Sequence, residues 1–134
     1  MTIRKFITVV AVLFLLTAQA YALEKLDRTA IDSNSKTGAT WDFGKIKQGQ
    51  ILKHEFDFIN NSGKYLKIQD VLTSCGCTVS EVRKKELNPG ETTIVEVKFD
   101  PTGYNGEVEQ FVYITTDSLD NPVIKIIIKA QVEK

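Results

Sequence analysis

The sequence holds one histidine, two cysteines, one methionine and one tryptophan among its 134 residues. General acid-base catalysis draws mostly on histidine, and a structural zinc site normally takes four ligands, so two cysteines and one histidine disfavour a zinc centre supplied by the chain alone. An excess of either charge is lacking too. Seventeen Lys+Arg balance seventeen Asp+Glu, and the basic run Arg83-Lys84-Lys85 is closed at once by Glu86. Such a balance builds no field for a phosphate backbone, and nucleic acid is not an expected partner. The nucleophile elbow, the phosphate-binding glycine loop and the zinc-binding helix are absent as motifs. Any enzyme made from this chain would have to run on cysteine chemistry, and a non-enzyme is the expectation.

Long apolar runs are missing as well. The longest, Phe6 to Ala18, follows Arg4 and Lys5 and leads to Ala20-Tyr21-Ala22, the small-x-small pattern that a signal peptidase accepts. It is about a dozen residues long, against the roughly 20 needed to cross a bilayer. Residues 1–22 are therefore expected to be a cleaved signal peptide, with a second possible cut after Ala20. No cysteine follows either site, so no lipid anchor on cysteine is expected. The mature domain would be mildly acidic, periplasmic or secreted, and without a permanent membrane span.

What remains alternates with a period of two. Residues 23–39 are a polar leader with isolated apolar points at Leu26 and Ile31, room for a short edge strand at most. From Thr40 onward, Trp41 and Phe43, then Leu52, His54, Phe56 and Phe58, then Leu66 and Ile68 each share one strand face. The phase slips near Val71-Leu72, as a bulge would allow. Val79 and Val82, then Thr93 to Phe99, Val108 to Thr115 and Ile124 to Ala130 continue the pattern, and Val123 with Ile127 marks the last as an interior strand. Asn60-Asn61-Ser62-Gly63, Asn88-Pro89-Gly90 and Asp100-Pro101-Thr102-Gly103 are turns. About seven strands without a sustained helical period predict an all-β fold, a single immunoglobulin-like antiparallel sandwich over residues 40–134. Trp41, Phe56, Phe58, Phe99 and Phe111 are the expected aromatic core.

The order of Trp41-Asp42-Phe43-Gly44, Phe58-Ile59-Asn60-Asn61-Ser62-Gly63, Ser74-Cys75-Gly76-Cys77-Thr78, Leu87-Asn88-Pro89-Gly90-Glu91 and Phe99-Asp100-Pro101-Thr102-Gly103 resembles a bacterial family of exported proteins, domain of unknown function 1573. That family is related in fold to the major sperm protein and ASH-type domains. The resemblance implies an immunoglobulin-like fold and an exported location, and it implies no reaction. The loop Thr116 to Pro122 is longer than the Thr-Asn-Asp-Pro common in the family.

The motif Ser74-Cys75-Gly76-Cys77-Thr78 carries the chemistry that the composition leaves open. Both cysteines sit together, and glycine between them permits the backbone that turns two side chains to one side. Export favours a disulfide, whose small ring would make it strained and exchangeable or would merely pin the turn. Alternatively, two thiolates could hold a soft ion such as Cu(I), supply half of a zinc site shared with a partner, or stay free for an intermolecular bond. No other cofactor is expected. His54, on the face of Phe56 and Phe58, reads as a core histidine rather than a metal ligand. Asp117 and Asp120 lack calcium-loop spacing and read as turn residues, and Glu107 with Glu109 as a solvated pair on one strand face. Two functions compete: a non-catalytic module that binds a cell-envelope protein, plausibly by strand addition, and a thiol-disulfide or copper-handling protein acting through Cys75 and Cys77.

Intact mass of the exported protein, taken without reductant, is expected to match residues 23–134. A two-hydrogen deficit that blocks alkylation would mark a Cys75–Cys77 bridge, and two alkylatable thiols would exclude it.

Overall fold

The computed structural model describes residues 28–74 and 78–134. The expected signal peptide, the first five residues of the leader, and Cys75, Gly76 and Cys77 lie outside the described residues. The rest is a sandwich of two sheets. Its strands are β1 (Thr29–Asp32), β2 (Ala39–Lys47), β3 (Leu52–Ile59), β4 (Leu66–Thr73), β5 (Thr78–Val82), β6 (Glu86–Leu87), β7 (Thr92–Phe99), β8 (Gly106–Thr116) and β9 (Val123–Glu133). One sheet runs β1-β3-β7-β5, the other β2-β9-β8-β4-β6.

The alternation in the sequence becomes the two faces of each sheet. In β3, His54, Phe56 and Phe58 are buried while Lys53 is exposed, and Glu55 and Asp57 are only half-covered. Their antiparallel partners on β7, Val97, Val95 and Thr93, are buried with them. Across the sandwich, Ile124, Ile126 and Ile128 of β9 meet Val112 and Ile114 of β8 in the same apolar cluster as Phe56 and Phe58. A second cluster, toward the other end, joins Phe99 to Ile46, Val108, Ala130 and Val132. Phe56, Phe58 and Phe99 have no exposed surface, and each contributes about 1.5–3 kcal/mol by leaving water.

The observed sandwich adds β1 and β6 to the seven expected strands, and two of its pairings, β1 with β3 and β2 with β9, are parallel. The leader reaches the β3 edge because Ile31 plugs the core at 1 % exposure, while Arg28 pairs with Glu55 at 3.0 Å. Its return to β2 depends on Gly38, whose φ is +67°. A Cβ there would lie 1.6 Å from the Lys125 carbonyl oxygen, so no other residue fits without moving the backbone. The phase slip of β4 falls between Ile68 and Asp70, earlier than Val71-Leu72. There Asp70 Oδ1 accepts the Val71 N–H at 2.8 Å, which fixes the bulge one turn of the pleat sooner. Phe111 departs from the expected core: Gln110 and Val112 face inward, so Phe111 stands half-buried on the outer face beneath Lys125, whose Nζ lies 4.1 Å from the ring centroid.

At one end the loops are tied by amides. Asn60 has no exposed surface, and its Nδ2 donates to the carbonyls of Lys64, Leu87 and Asn88 at 2.8, 3.1 and 3.1 Å. Its Oδ1 accepts the Ser62 N–H and hydroxyl. Asn121 does the same for the β1–β2 connection through the carbonyls of Ser33 and Ser35. The Lys84 ammonium, together with the Asn88 N–H, holds the Glu91 carboxyl of the neighbouring turn below its ordinary range.

Asn60→Ala leaves these carbonyls without a donor that itself has no exposed surface, the Leu87 carbonyl among them in a buried position. It is expected to cost about 2–4 kcal/mol in urea unfolding, with the sandwich signature retained in circular dichroism.

Candidate functional site

The motif lies where the chain leaves one sheet for the other. Ser74 follows β4 of the five-stranded sheet, and Thr78 opens β5 of the four-stranded sheet. Both flanks are set by the ladders. The Ser74 N–H donates to the Phe111 carbonyl at 2.9 Å, as the β4–β8 register requires. The answering Phe111 N–H goes to the Ser74 hydroxyl oxygen at 3.0 Å, so the side chain takes the bond at which the ladder ends. That hydroxyl donates in turn to Gln110 Oε1 at 2.8 Å, and Gln110 Nε2 lies 3.5 Å from the Tyr104 hydroxyl. Tyr104 closes the end of the core beside Phe99, and its carbonyl accepts Gln48 Nε2.

Thr78 sits opposite Phe99 and is 2 % exposed. Its hydroxyl has no hydrogen-bond partner among the described residues, a costly arrangement for a buried polar group. Among the described residues the two flanks thus differ in kind: the Ser74 hydroxyl both donates and accepts, and the Thr78 hydroxyl does neither. Sequence reasoning named both, but missed Gln110 and Tyr104. The signal for Gln110 was present: a polar residue in the inward register of Val108, Val112 and Ile114. Nothing local pointed to Tyr104, which arrives from the β7–β8 connection.

The remaining candidates are scattered. His54, 4 % exposed, stacks on Trp41 with centroids 3.6 Å apart and planes 5° from parallel, meets Phe56 edge-on, and has Nε2 3.0 Å from Thr29 Oγ1. It ties β1 and β2 to β3. Asp117 caps the start of β4, its Oδ1 accepting the Lys67 N–H at 2.8 Å, and Asp120 is exposed in the same loop. Glu107 and Glu109 share the exposed face of β8. Among the described residues no three ligating side chains gather as a metal site.

The profile of the family described as Protein of unknown function (DUF1573) matches residues 35–132. The chain belongs to the DUF1573 family. The family carries no indicated reaction, and no curated protein matches the sequence. Among solved structures, a protein of unknown function from Porphyromonas gingivalis W83 superposes with a TM-score of 0.62 at 21 % identity, over 69 % of this chain and 43 % of that one. The Vibrio cholerae VesB protease gives 0.56 at 15 % identity, over 72 % and 30 %. The ASH / PapD-like domain 7 of human CEP192 gives 0.53 at 11 %, over 71 % and 81 %. This chain thus spans less than half the length of the first two. At these identities the likeness is one of fold: the DUF1573 chain is an immunoglobulin-like, all-β sandwich.

Two substitutions separate the flanks. Ser74→Ala removes a donor and an acceptor that are both in use and is expected to cost about 1–2 kcal/mol. Thr78→Val keeps the shape and removes only a hydroxyl that has no partner among the described residues, so urea unfolding should show no loss and up to about 1 kcal/mol of gain.

Proposed function

We propose that this DUF1573 protein is an exported, non-catalytic module that binds a protein of the cell envelope by strand addition at the free edge of β5. The observation that carries the reading is the parity of that strand. The Arg83 N–H donates to the Ile94 carbonyl at 3.0 Å, in register with the β5–β7 pairing, so the main-chain groups of Thr78, Ser80 and Val82 are directed away from β7. β5 is the last strand of its sheet and contains no proline. An unpaired row of N–H and C=O groups is the feature that an added strand uses. The opposite edge is β1, which is only four residues long and offers an added strand a shorter ladder.

A second reading is supported by the fixed flanks of the cysteine pair, and it is compatible with the first. In it, a thiolate of Cys75 or Cys77 attacks the disulfide of an exported protein and expels one thiolate. The second cysteine then attacks the mixed disulfide, closing Cys75–Cys77 and releasing the other thiolate, so the client is reduced as the pair is oxidised. The same two thiolates would alternatively hold Cu(I).

Ser80→Pro removes an outward N–H and leaves the β7 ladder intact. Affinity capture from the native envelope fraction is expected to recover one protein with the unaltered chain and to lose it with Ser80→Pro at equal urea stability. Recovery of no specific protein, or recovery indifferent to the proline, overturns strand addition. Cys75→Ser with Cys77→Ser should leave that capture intact while abolishing thiol exchange or copper uptake if the second reading holds.

A further inference from the structure

We propose that the strand taken up at β5 is an extended peptide that reads acidic, aliphatic, basic from its own N-terminus. The basic residue stands opposite Glu81, the aliphatic one opposite Val82 and the acidic one opposite Arg83. The proposal rests on the reading of β5 as the edge that accepts a strand, and it names the chemistry of that strand.

The outer face of the four-stranded sheet sets the charges. Glu55 of β3, Glu96 of β7 and Glu81 of β5 stand directly opposite one another, a row of three carboxylates across three strands. Like charges so placed repel unless cations neutralise them. Glu55 is held from two sides, by Arg28 at 3.0 Å and by Arg83 at 2.7 Å. Lys98 serves the other two, Glu96 at 3.5 Å and Glu81 at 3.9 Å. Glu81 thus ends the row at the sheet edge with the longest of these contacts, and its side chain is 68 % exposed. Two positions on, the Arg83 side chain is 58 % exposed and bonds Glu55 through Nη2. A guanidinium has five donors, so that bond does not exhaust it.

Strand parity brings a newcomer's side chains close to these two. The main-chain groups of Glu81 and Arg83 face β7, and the ladder on the free side is made at Ser80 and Val82. An antiparallel partner is the better-bonded choice per residue. Its residues opposite Glu81 and Arg83 form non-hydrogen-bonded pairs, the class in which Cα atoms lie about 4.5 Å apart and side chains are closest. A basic residue opposite Glu81 ends the carboxylate row with a cation, whereas an acidic one would lengthen it to four. The residue between them, opposite Val82, turns toward the core. Val82 and, in the other sheet, Val71 of β4 are half-buried against the cluster of Phe56 and Phe58. β6 pairs with β4 only at Leu66 and Lys67, short of Val71, so an aliphatic side chain has apolar surface left to cover.

The test titrates residues 23–134 with three blocked peptides, read by amide chemical shifts. The first is acetyl-Thr-Glu-Val-Lys-Val-Thr-amide, and the second replaces its Lys by Glu. The third, acetyl-Thr-Lys-Val-Glu-Val-Thr-amide, keeps the composition of the first and exchanges the charges. The first is expected to bind along β5, and the other two about tenfold more weakly. Glu81→Lys should reverse the preference between the first and the second, and Ser80→Pro should abolish binding of all three. Equal affinity for the three peptides, with loss on Ser80→Pro, overturns the charge pattern and leaves strand addition standing. Absence of binding up to millimolar concentrations also overturns the pattern, and capture of the envelope protein then decides strand addition by its own response to Ser80→Pro. Peptide binding indifferent to Ser80→Pro overturns both.

Discussion

Burial of the inner face of β9 holds the rest of this molecule in place. Ile124, Ile126, Ile128, Ala130 and Val132 all point into the sandwich, and β9 is paired along its length with β8 on one side and β2 on the other. The two apolar clusters meet along this strand, the first centred on Phe56 and Phe58, the second on Phe99. Its backbone also sets the path of the chain before β2, since the Lys125 carbonyl leaves space for no side chain at Gly38. Aliphatic side chains on one strand thus decide where a strand from the other end of the chain can lie.

The two ends of the sandwich are finished differently. The buried amide of Asn60 and the half-buried amide of Asn121 bridge four connections, which makes a stiff cap. At the other end, Ser74, Gln110 and Tyr104 form a shorter chain of contacts beside Phe99, and the Thr78 hydroxyl is buried without a partner among the described residues. Well-satisfied polar networks rigidify, whereas an unpaired buried hydroxyl marks a place where stability has been given up. The outer faces contrast as well: ion pairs lace the four-stranded sheet, while the five-stranded sheet carries at one end charges without ion pairs among the described residues, and toward the other exposed Leu72 with half-buried Phe111, Tyr113 and Ile127.

Much of this was legible in the residue order. Period-two alternation in β3, β7 and β9 identified their inward faces residue by residue, because successive side chains on a strand must point to opposite sides. His54 could be placed on the face of Phe56 and Phe58 for the same reason. The parity that set Val112 and Ile114 inward also implied Phe111 on the outside, although its aromatic character suggested the core. The short strand β6 left no trace, since two residues carry no period. β1 was readable as an apolar point at Ile31 within a polar leader, but its partner was not.

The sequence by itself determined the all-β class, the positions of the main strands and turns, and the concentration of cysteine chemistry at residues 75 and 77. These follow from side-chain alternation, turn residues and spacing, which act between near neighbours. Tertiary structure alone decided that β1 and β2 pair in parallel with strands far along the chain, and that Ser74 and Thr78 stand in opposite sheets. It also decided that Glu55, Glu96 and Glu81 stand in one row across three strands. Each of these is a pairing between segments separated by many residues, and such pairings are chosen by which faces bury best together, a property of the assembled sheets rather than of any stretch of chain.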